Sequence, residues 1–83
     1  MYSISYSNRA KKDSILIKQA GLGSKIYELL NIIINNPYQN PPQYKKLSGY
    51  SNRFSRRINI QHRLVYAVLD DEIIILQMWT HYE

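Results

Sequence analysis

The 83-residue chain has no cysteine, only three glycines and three prolines, and six acidic residues against eleven lysines and arginines. Without cysteine there is no disulfide, no thiolate metal site and no thiol nucleophile, and two histidines are too few to hold zinc. We therefore expect no metal and no cofactor. No run approaches the roughly 18 apolar residues of a membrane span, and the N-terminus lacks the basic-then-apolar order of a signal peptide. We expect a cytoplasmic protein that does not enter a membrane.

The shortage of acidic residues leaves a net charge of +5 and a pI of about 9.6. Such a charge favours polyanionic partners, or an acidic protein that masks the basic surface. Charge alone is weak evidence, since many small basic domains bind no nucleic acid. A chain of this length is expected to form one domain, residues 1–83, whose small core favours a stabilising partner.

The first half of the chain predicts a strand followed by two helices. Residues 2–6 alternate as in a short strand, and Ser7 or Asn8 can cap a helix that reaches about Gln19. The Gly-Leu-Gly segment at 21–23 ends this helix.

A second helix is predicted from a cap at Ser24 to about Asn35, because Pro37 disfavours helix in the residue before it. Its apolar residues recur at the spacing of one helical face. They are Ile26, Leu29, Leu30 and Ile33.

The second half predicts a loop and then a sheet. All three prolines fall within Pro37 to Tyr50, a loop whose tyrosines and Lys45-Lys46 could touch RNA. β-branched and aromatic runs follow, and Asp70-Asp71 suits a tight hairpin between the last two. These runs are Phe54–Ile58, Arg63–Leu69 and Glu72–Trp79. The predicted fold class is α+β, with two helices on one face of a mostly antiparallel four-stranded sheet.

Strand alternation sorts the side chains of this sheet into two faces. In the second run, Leu64, Tyr66 and Val68 share one face and Arg63 takes the other. In the last run, the set that suits the core beneath the helices is Ile74, Leu76 and Met78, which leaves Ile73, Ile75 and Gln77 on the open side. One concave surface could then be lined by Arg57, Arg63, Gln77 and His81.

Arginines keep their charge near neutral pH, whereas an imidazole can give or take a proton. Together they can bind a phosphate and carry out acid–base chemistry on it, which points to a nuclease acting on RNA. Other residues here have simpler interpretations. Arg56 is expected to cover the edge of the core and His62 to make structural hydrogen bonds. Trp79 fits a stacking platform and a closure of the sheet equally well.

The segments Ser55-Arg56-Arg57-Ile58, His62 to Val68 (His-Arg-Leu-Val-Tyr-Ala-Val) and the terminal His81-Tyr82 occur in an order and spacing that resembles the RelE superfamily of bacterial toxin ribonucleases, in particular its YoeB/Txe group. The similarity covers Leu47 to Tyr82 well. The N-terminal half agrees in its strand–helix–helix order and in Asn36-Pro37-Tyr38.

The resemblance implies a metal-independent endoribonuclease, in which the RNA 2′-hydroxyl attacks the adjacent phosphate of mRNA in the ribosomal A site. It assigns Arg63 to the scissile phosphate, Arg57 to a second phosphate contact, and His81 to protonation of the leaving 5′-oxygen. Tyr82 would position the substrate or stack on a base. It also implies an acidic antitoxin as partner, with a homodimer within the toxin–antitoxin complex as a further arrangement.

One position departs from the family pattern. YoeB-type toxins carry a glutamate as general base where this chain has Lys45, and no Asp or Glu lies between Glu28 and Asp70. Lys45 or Lys46 could serve as base, as lysines do in RelE, or a charged lysine could only bind the phosphate.

Two other functions remain open on the sequence. One is an inactive relative that still binds RNA or antitoxin. The other is a ParE-like gyrase inhibitor, against which the combination of Arg63 with His81-Tyr82 argues.

Overall fold

The computed structural model describes residues 1–79. Along the chain, a strand is followed by two helices and four further strands. They are β1 Ser3–Tyr6, α1 Asn8–Gln19, α2 Gly23–Asn35, β2 Tyr44–Lys46, β3 Arg53–Arg57, β4 Arg63–Leu69 and β5 Glu72–Gln77. The sheet order is β1-β5-β4-β3-β2, with β1 and β5 parallel and every other pair antiparallel. The predicted α+β class with a mostly antiparallel sheet is confirmed, and the sheet gains a fifth strand.

The additional strand, β2, lies in the segment that was predicted to be a loop. It pairs antiparallel with β3, so that Tyr44 faces Arg56, Lys45 faces Ser55 and Lys46 faces Phe54. Three residues with two lysines have little intrinsic strand preference, and the open edge of β3 supplies the hydrogen-bonding partner that makes them a strand. Lysines are also typical of edge strands, where they discourage pairing with other chains.

Of the two predicted helix N-caps, the structure has the first but not the second. Ser7 caps α1, because its Oγ accepts a hydrogen bond from the Ala10 amide at 3.0 Å, and the same hydroxyl donates to the Leu76 carbonyl at 2.8 Å. The predicted cap at Ser24 is wrong. Leu22 precedes α2 without a side-chain cap, since Gly23 is already helical and places Ser24 in the first turn.

The core lies between the helices and one face of the sheet, and a bulge in β5 changes which residues enter it. Val65 pairs with Gln77 while Tyr66 pairs with Ile75, which leaves Leu76 as an extra residue. The predicted alternation is therefore wrong before the bulge, because Ile73 and Ile75 are fully buried in the core. After the bulge it is right again, since Met78 enters the core.

The buried core residues come from both helices, from β3 to β5 and from the residues that directly follow β3 and β5. They are Ala10, Ile17, Ile26, Leu29, Ile33, Phe54, Ile58, Leu64, Tyr66, Val68, Ile73, Ile75 and Met78. Both helices thus pack on one face, as predicted. Within residues 1–79, no helix is long and apolar enough to cross a membrane.

Candidate active site

The face of the sheet away from the helices gathers three of the predicted site residues. Arg57 of β3 lies directly opposite Arg63 of β4, and Lys45 of β2 lies opposite Ser55. Side chains of directly opposed residues point to the same face, and so do those two positions apart on a strand. Lys45, Arg57 and Arg63 therefore share this face, which we call the open face.

These three cations border one cavity of about 550 Å³, together with Gln43 and Tyr44. None of these described lining residues is acidic. Like charges placed directly opposite each other across two strands destabilise a sheet. Two guanidinium groups directly opposite each other can both donate hydrogen bonds to one anion, so the cavity has the chemistry of a phosphate site.

The position of Arg63 is set by a buried hydroxyl. Its Nε donates a hydrogen bond to Ser55 Oγ at 3.1 Å, and Ser55 is fully buried between β2 and β4. This bond holds the guanidinium to the open face. A guanidinium held in this way has less conformational entropy to lose when it binds a phosphate.

The remaining predicted site residues have different locations. Lys46 lies opposite Phe54, so it points to the other side of β2 and does not border the cavity with Lys45. Gln77 shares the open face with Arg63, because it pairs with Val65 two positions further along β4. His81 and Tyr82 lie outside the described residues.

Two residues that line the cavity were not predicted as site residues from the sequence. Tyr44 was only one of several loop tyrosines, and no pattern marked Gln43. Tyr44 begins β2 and Gln43 directly precedes it, so the pairing of β2 with β3 places both beside the cavity. The sequence analysis did not predict β2, and without that strand nothing placed these two residues at the site.

Behind the cavity, Arg56 occupies a buried position that differs from the predicted edge cover. It has no exposed surface, and its Nε donates to the Tyr66 hydroxyl at 3.1 Å. Its terminal nitrogens donate to the carbonyls of Pro37 at 3.0 Å, of Gln39 at 2.9 Å, and of Pro42. The Tyr66 hydroxyl donates in turn to the Pro37 carbonyl at 2.8 Å. Burial raises the pKa of Tyr66, although the hydrogen bond and charge of Arg56 act in the opposite direction.

Directly before Arg63 in the chain, His62 stacks on Trp79 with ring centroids 4.1 Å apart. His62 is 6% exposed, and its Nδ1 has no hydrogen-bond partner among residues 1–79. His62 makes structural hydrogen bonds through its backbone, since its N–H donates to Asn59 Oδ1 at 2.7 Å and its carbonyl accepts from the Ile58 amide at 2.9 Å. Stacking on Trp79 holds the ring. Trp79 packs against the core and stacks on His62, an arrangement that suits the predicted closure of the sheet.

The end of β5 is also anchored by a carboxylate that the sequence analysis missed. Asp13 Oδ2 is buried, accepts the Met78 amide at 3.0 Å and lies 3.3 Å from Arg9 Nε. Its position between Ala10 and Ile17 at helical spacing was the available signal, since an acidic residue on the core face of a helix needs a partner. Among residues 1–79 there is no group of three side chains that could hold a metal ion.

Similarity to known proteins agrees with this geometry. A model of the family described as YoeB-like toxins of bacterial type II toxin–antitoxin systems matches residues 6–82. The chain belongs to this family. The YoeB toxin of Synechocystis is 34% identical over 77 residues, covering 88% of this chain and 79% of that protein. The YoeB toxin of Escherichia coli K12 is 40% identical over 62 residues, covering 70% of each.

Solved structures of YoeB proteins share the fold. A YoeB dimer from Staphylococcus aureus superposes with a TM-score of 0.85 at 36% identity, covering 98% of both chains. A YoeB–YefM complex from the same species gives a TM-score of 0.81 at 36% identity, covering 99% of both chains. The protein is thus a toxin of a type II toxin–antitoxin system, as the resemblance of its C-terminal half implied.

Proposed function

We propose that the protein is a ribosome-dependent endoribonuclease that cleaves mRNA in the A site without a metal ion. The observation that carries the proposal is the cavity in which Lys45, Arg57 and Arg63 meet with no carboxylate among the described lining residues. A site of this charge suits a phosphodiester. RNA brings its own nucleophile, the 2′-hydroxyl, which removes the need for one from the protein.

In the proposed reaction the 2′-oxygen attacks the adjacent phosphorus, the bond from phosphorus to the 5′-oxygen breaks, and a 2′,3′-cyclic phosphate is left. Negative charge builds on the phosphate oxygens in the transition state, where Arg63 would stabilise it. Arg57, directly opposite Arg63, would make the second phosphate contact.

The proton transfers fall to residues on either side of the phosphate. His81 would protonate the leaving 5′-oxygen, and Tyr82 would position the substrate or stack against a base. Lys45 stands where the family carries its glutamate. It would accept the 2′-hydroxyl proton in its neutral form. In its charged form it would bind the phosphate, and the 2′-hydroxyl proton would pass to water, with a slower reaction.

The same basic surface supports the proposed partners. The Staphylococcus aureus relative was solved as a complex with YefM and as a dimer. We propose an acidic antitoxin that covers the cationic cavity of this chain, a homodimer within that complex, and action in the cytoplasm, where the ribosomes are. Net charge of +5 favours both antitoxin and ribosomal RNA by charge neutralisation.

The test is to mix the purified protein with ribosomes stalled on a defined mRNA and to map the 3′ and 5′ ends. We expect cuts within the A-site codon that are lost in His81→Ala. Losing an acid–base partner lowers the rate by roughly 10² to 10⁴.

The absence of a carboxylate from the described cavity lining favours one alternative, an inactive relative that still binds RNA or antitoxin. Intact mRNA under conditions where the protein binds ribosomes would establish that alternative. The control is ribosome binding by His81→Ala, which should match the wild type in either case.

A further inference from the structure

Arg56 is a permanent cation in the interior of the protein. It is fully buried, and no described carboxylate lies within ion-pair distance of it. A buried guanidinium is tolerated only when hydrogen bonds compensate for the lost water. Here the acceptors are the Tyr66 hydroxyl and three carbonyls of the segment 37–42.

That segment leads directly into the wall of the cavity. Gln43, Tyr44 and Lys45 follow it in the chain and line the cavity. Arg56 also lies directly opposite Tyr44 in the sheet, with its guanidinium carbon 4.9 Å from the centre of the Tyr44 ring. One side chain therefore contacts both the segment before β2 and the first residue of β2.

We propose that Arg56 is a positioning residue for the ribonuclease reaction, an inference that rests on the proposed function above. It holds the segment 37–42 and the Tyr44 ring in place, so that Lys45 stands across the cavity from Arg57 and Arg63. A displacement of about 1 Å at a reacting group lowers rates by about 10²-fold. A loosened segment would produce such a displacement without removing any group that touches the RNA.

The proposal depends on the shape of the guanidinium more than on its charge. Arginine presents five donors in a planar fork, whereas lysine presents three from one nitrogen. Lysine at position 56 would keep the charge but could not reach Tyr66 on one side and the Pro42 carbonyl on the other. Arg56→Lys is therefore the informative variant.

The experiment measures kcat and KM for cleavage on stalled ribosomes for wild type, Arg56→Lys and Arg53→Lys, with thermal unfolding of each. Arg53 is a matched control, because it lies on the same strand and stacks on Tyr50 at 4.2 Å outside the cavity. We expect Arg56→Lys to lower kcat by about 10²-fold with KM changed by less than about threefold. We expect Arg53→Lys to stay within about twofold of wild type in both.

A Lys45→Ala background separates positioning from general loss of structure. Since the group to be positioned is already gone, adding Arg56→Lys should lower kcat there by less than about threefold. A merely structural role would lower the rate equally in both backgrounds, in line with the folded fraction, and would overturn the proposal.

Should Arg56→Lys fail to fold, Tyr66→Phe serves instead, since it removes the acceptor of Arg56 Nε while keeping the ring. It should lower kcat by about tenfold with little change in KM. If the wild type cleaves and the folded variant cleaves as fast, the positioning role of Arg56 is wrong while the proposed ribonuclease function stands. If the wild type does not cleave at all, the proposed function fails and the positioning role with it.

Discussion

Arg56 and Arg57 are neighbours of the same type on β3, yet the sheet gives them opposite surroundings. Arg56 points toward the helices and is fully buried among carbonyls, whereas Arg57 points to the open face and stays exposed opposite Arg63. Because successive side chains of a strand point to opposite faces, one arginine can stabilise the fold while the next is placed to bind an anion. Residue type alone does not separate them.

The same contrast extends across the two faces. On the helix side, each nitrogen of the Arg56 guanidinium and the hydroxyl of Tyr66 donates to an acceptor. On the open face, cations line a cavity whose described lining holds no carboxylate. The first arrangement stabilises the fold, and the second concentrates positive charge where a phosphate could bind.

The largest effect should come from the open face. Arg63→Gln removes the charge proposed to stabilise the transition state, so cleavage on stalled ribosomes should slow by about 10² to 10³. The thermal unfolding midpoint should change little, because Gln can still donate a hydrogen bond to Ser55. A variant that cleaves normally would remove Arg63 from the chemistry.

Next in size is a matched pair on β2. Lys45→Ala should slow cleavage by about 10²-fold, whereas Lys46→Ala, whose side chain points to the other side of the strand, should stay within about threefold. Equal losses in the two variants would contradict the distinction between the faces.

Lys45→Arg then distinguishes the two roles of Lys45. Arginine keeps the charge but cannot supply a neutral amine, so retained cleavage assigns phosphate binding and lost cleavage assigns proton transfer. Cleavage rates under the same conditions as for Lys45→Ala provide the comparison.

On the helix side, Tyr66→Phe should lower the free energy of unfolding by about 1–3 kcal/mol, because Arg56 Nε and the Pro37 carbonyl each lose a buried partner. Urea unfolding measures the change. Tyr27→Phe on α2 is the control, since that tyrosine is 68% exposed and its loss should change stability by less than about 0.5 kcal/mol. If Tyr66→Phe lowers the free energy of unfolding no more than Tyr27→Phe does, the buried hydrogen bonds of Tyr66 make no net contribution to stability.

The smallest effect is a loss of stability in alkali. The raised pKa of Tyr66, caused first by burial, means that the folded protein keeps the phenol protonated where the unfolded chain ionises. The stability from this group is fully present below about pH 10 and falls as pH rises through the folded pKa, by at most about 1.4 kcal/mol per pH unit. Tyr66→Phe should show a shallower fall in unfolding free energy between about pH 9 and about pH 11. Tyr38, whose pKa is also raised by burial, contributes a remaining slope in both proteins.

Local patterns in the sequence were sufficient where the physics is local. The Ser7 cap, the two helices, the Asp70-Asp71 turn and the alternation of β4 all depend on residues near one another in the chain. Strand alternation placed Arg57 and Arg63 on one face, and the family resemblance added Lys45. Lys45, Arg57 and Arg63 indeed lie around one cavity.

The remaining features depend on partners that are distant in the chain. β2 forms only because β3 offers an edge, and the bulge at Leu76 exists only in the pairing of β4 with β5. The first replaces a predicted loop by a strand. The second reverses the predicted faces of Ile73 and Ile75, because an extra residue in one strand moves the residues on one side of it to the other face.

The sequence by itself determined the fold class, the family and the set of charged residues available for chemistry. The tertiary structure alone decided which of those charges are buried and which meet at a cavity. The physical reason is that periodicity and motif spacing are properties of neighbouring residues, whereas register depends on how separate strands pair. The carbonyls that surround Arg56 likewise come from residues 14 to 19 positions away in the chain.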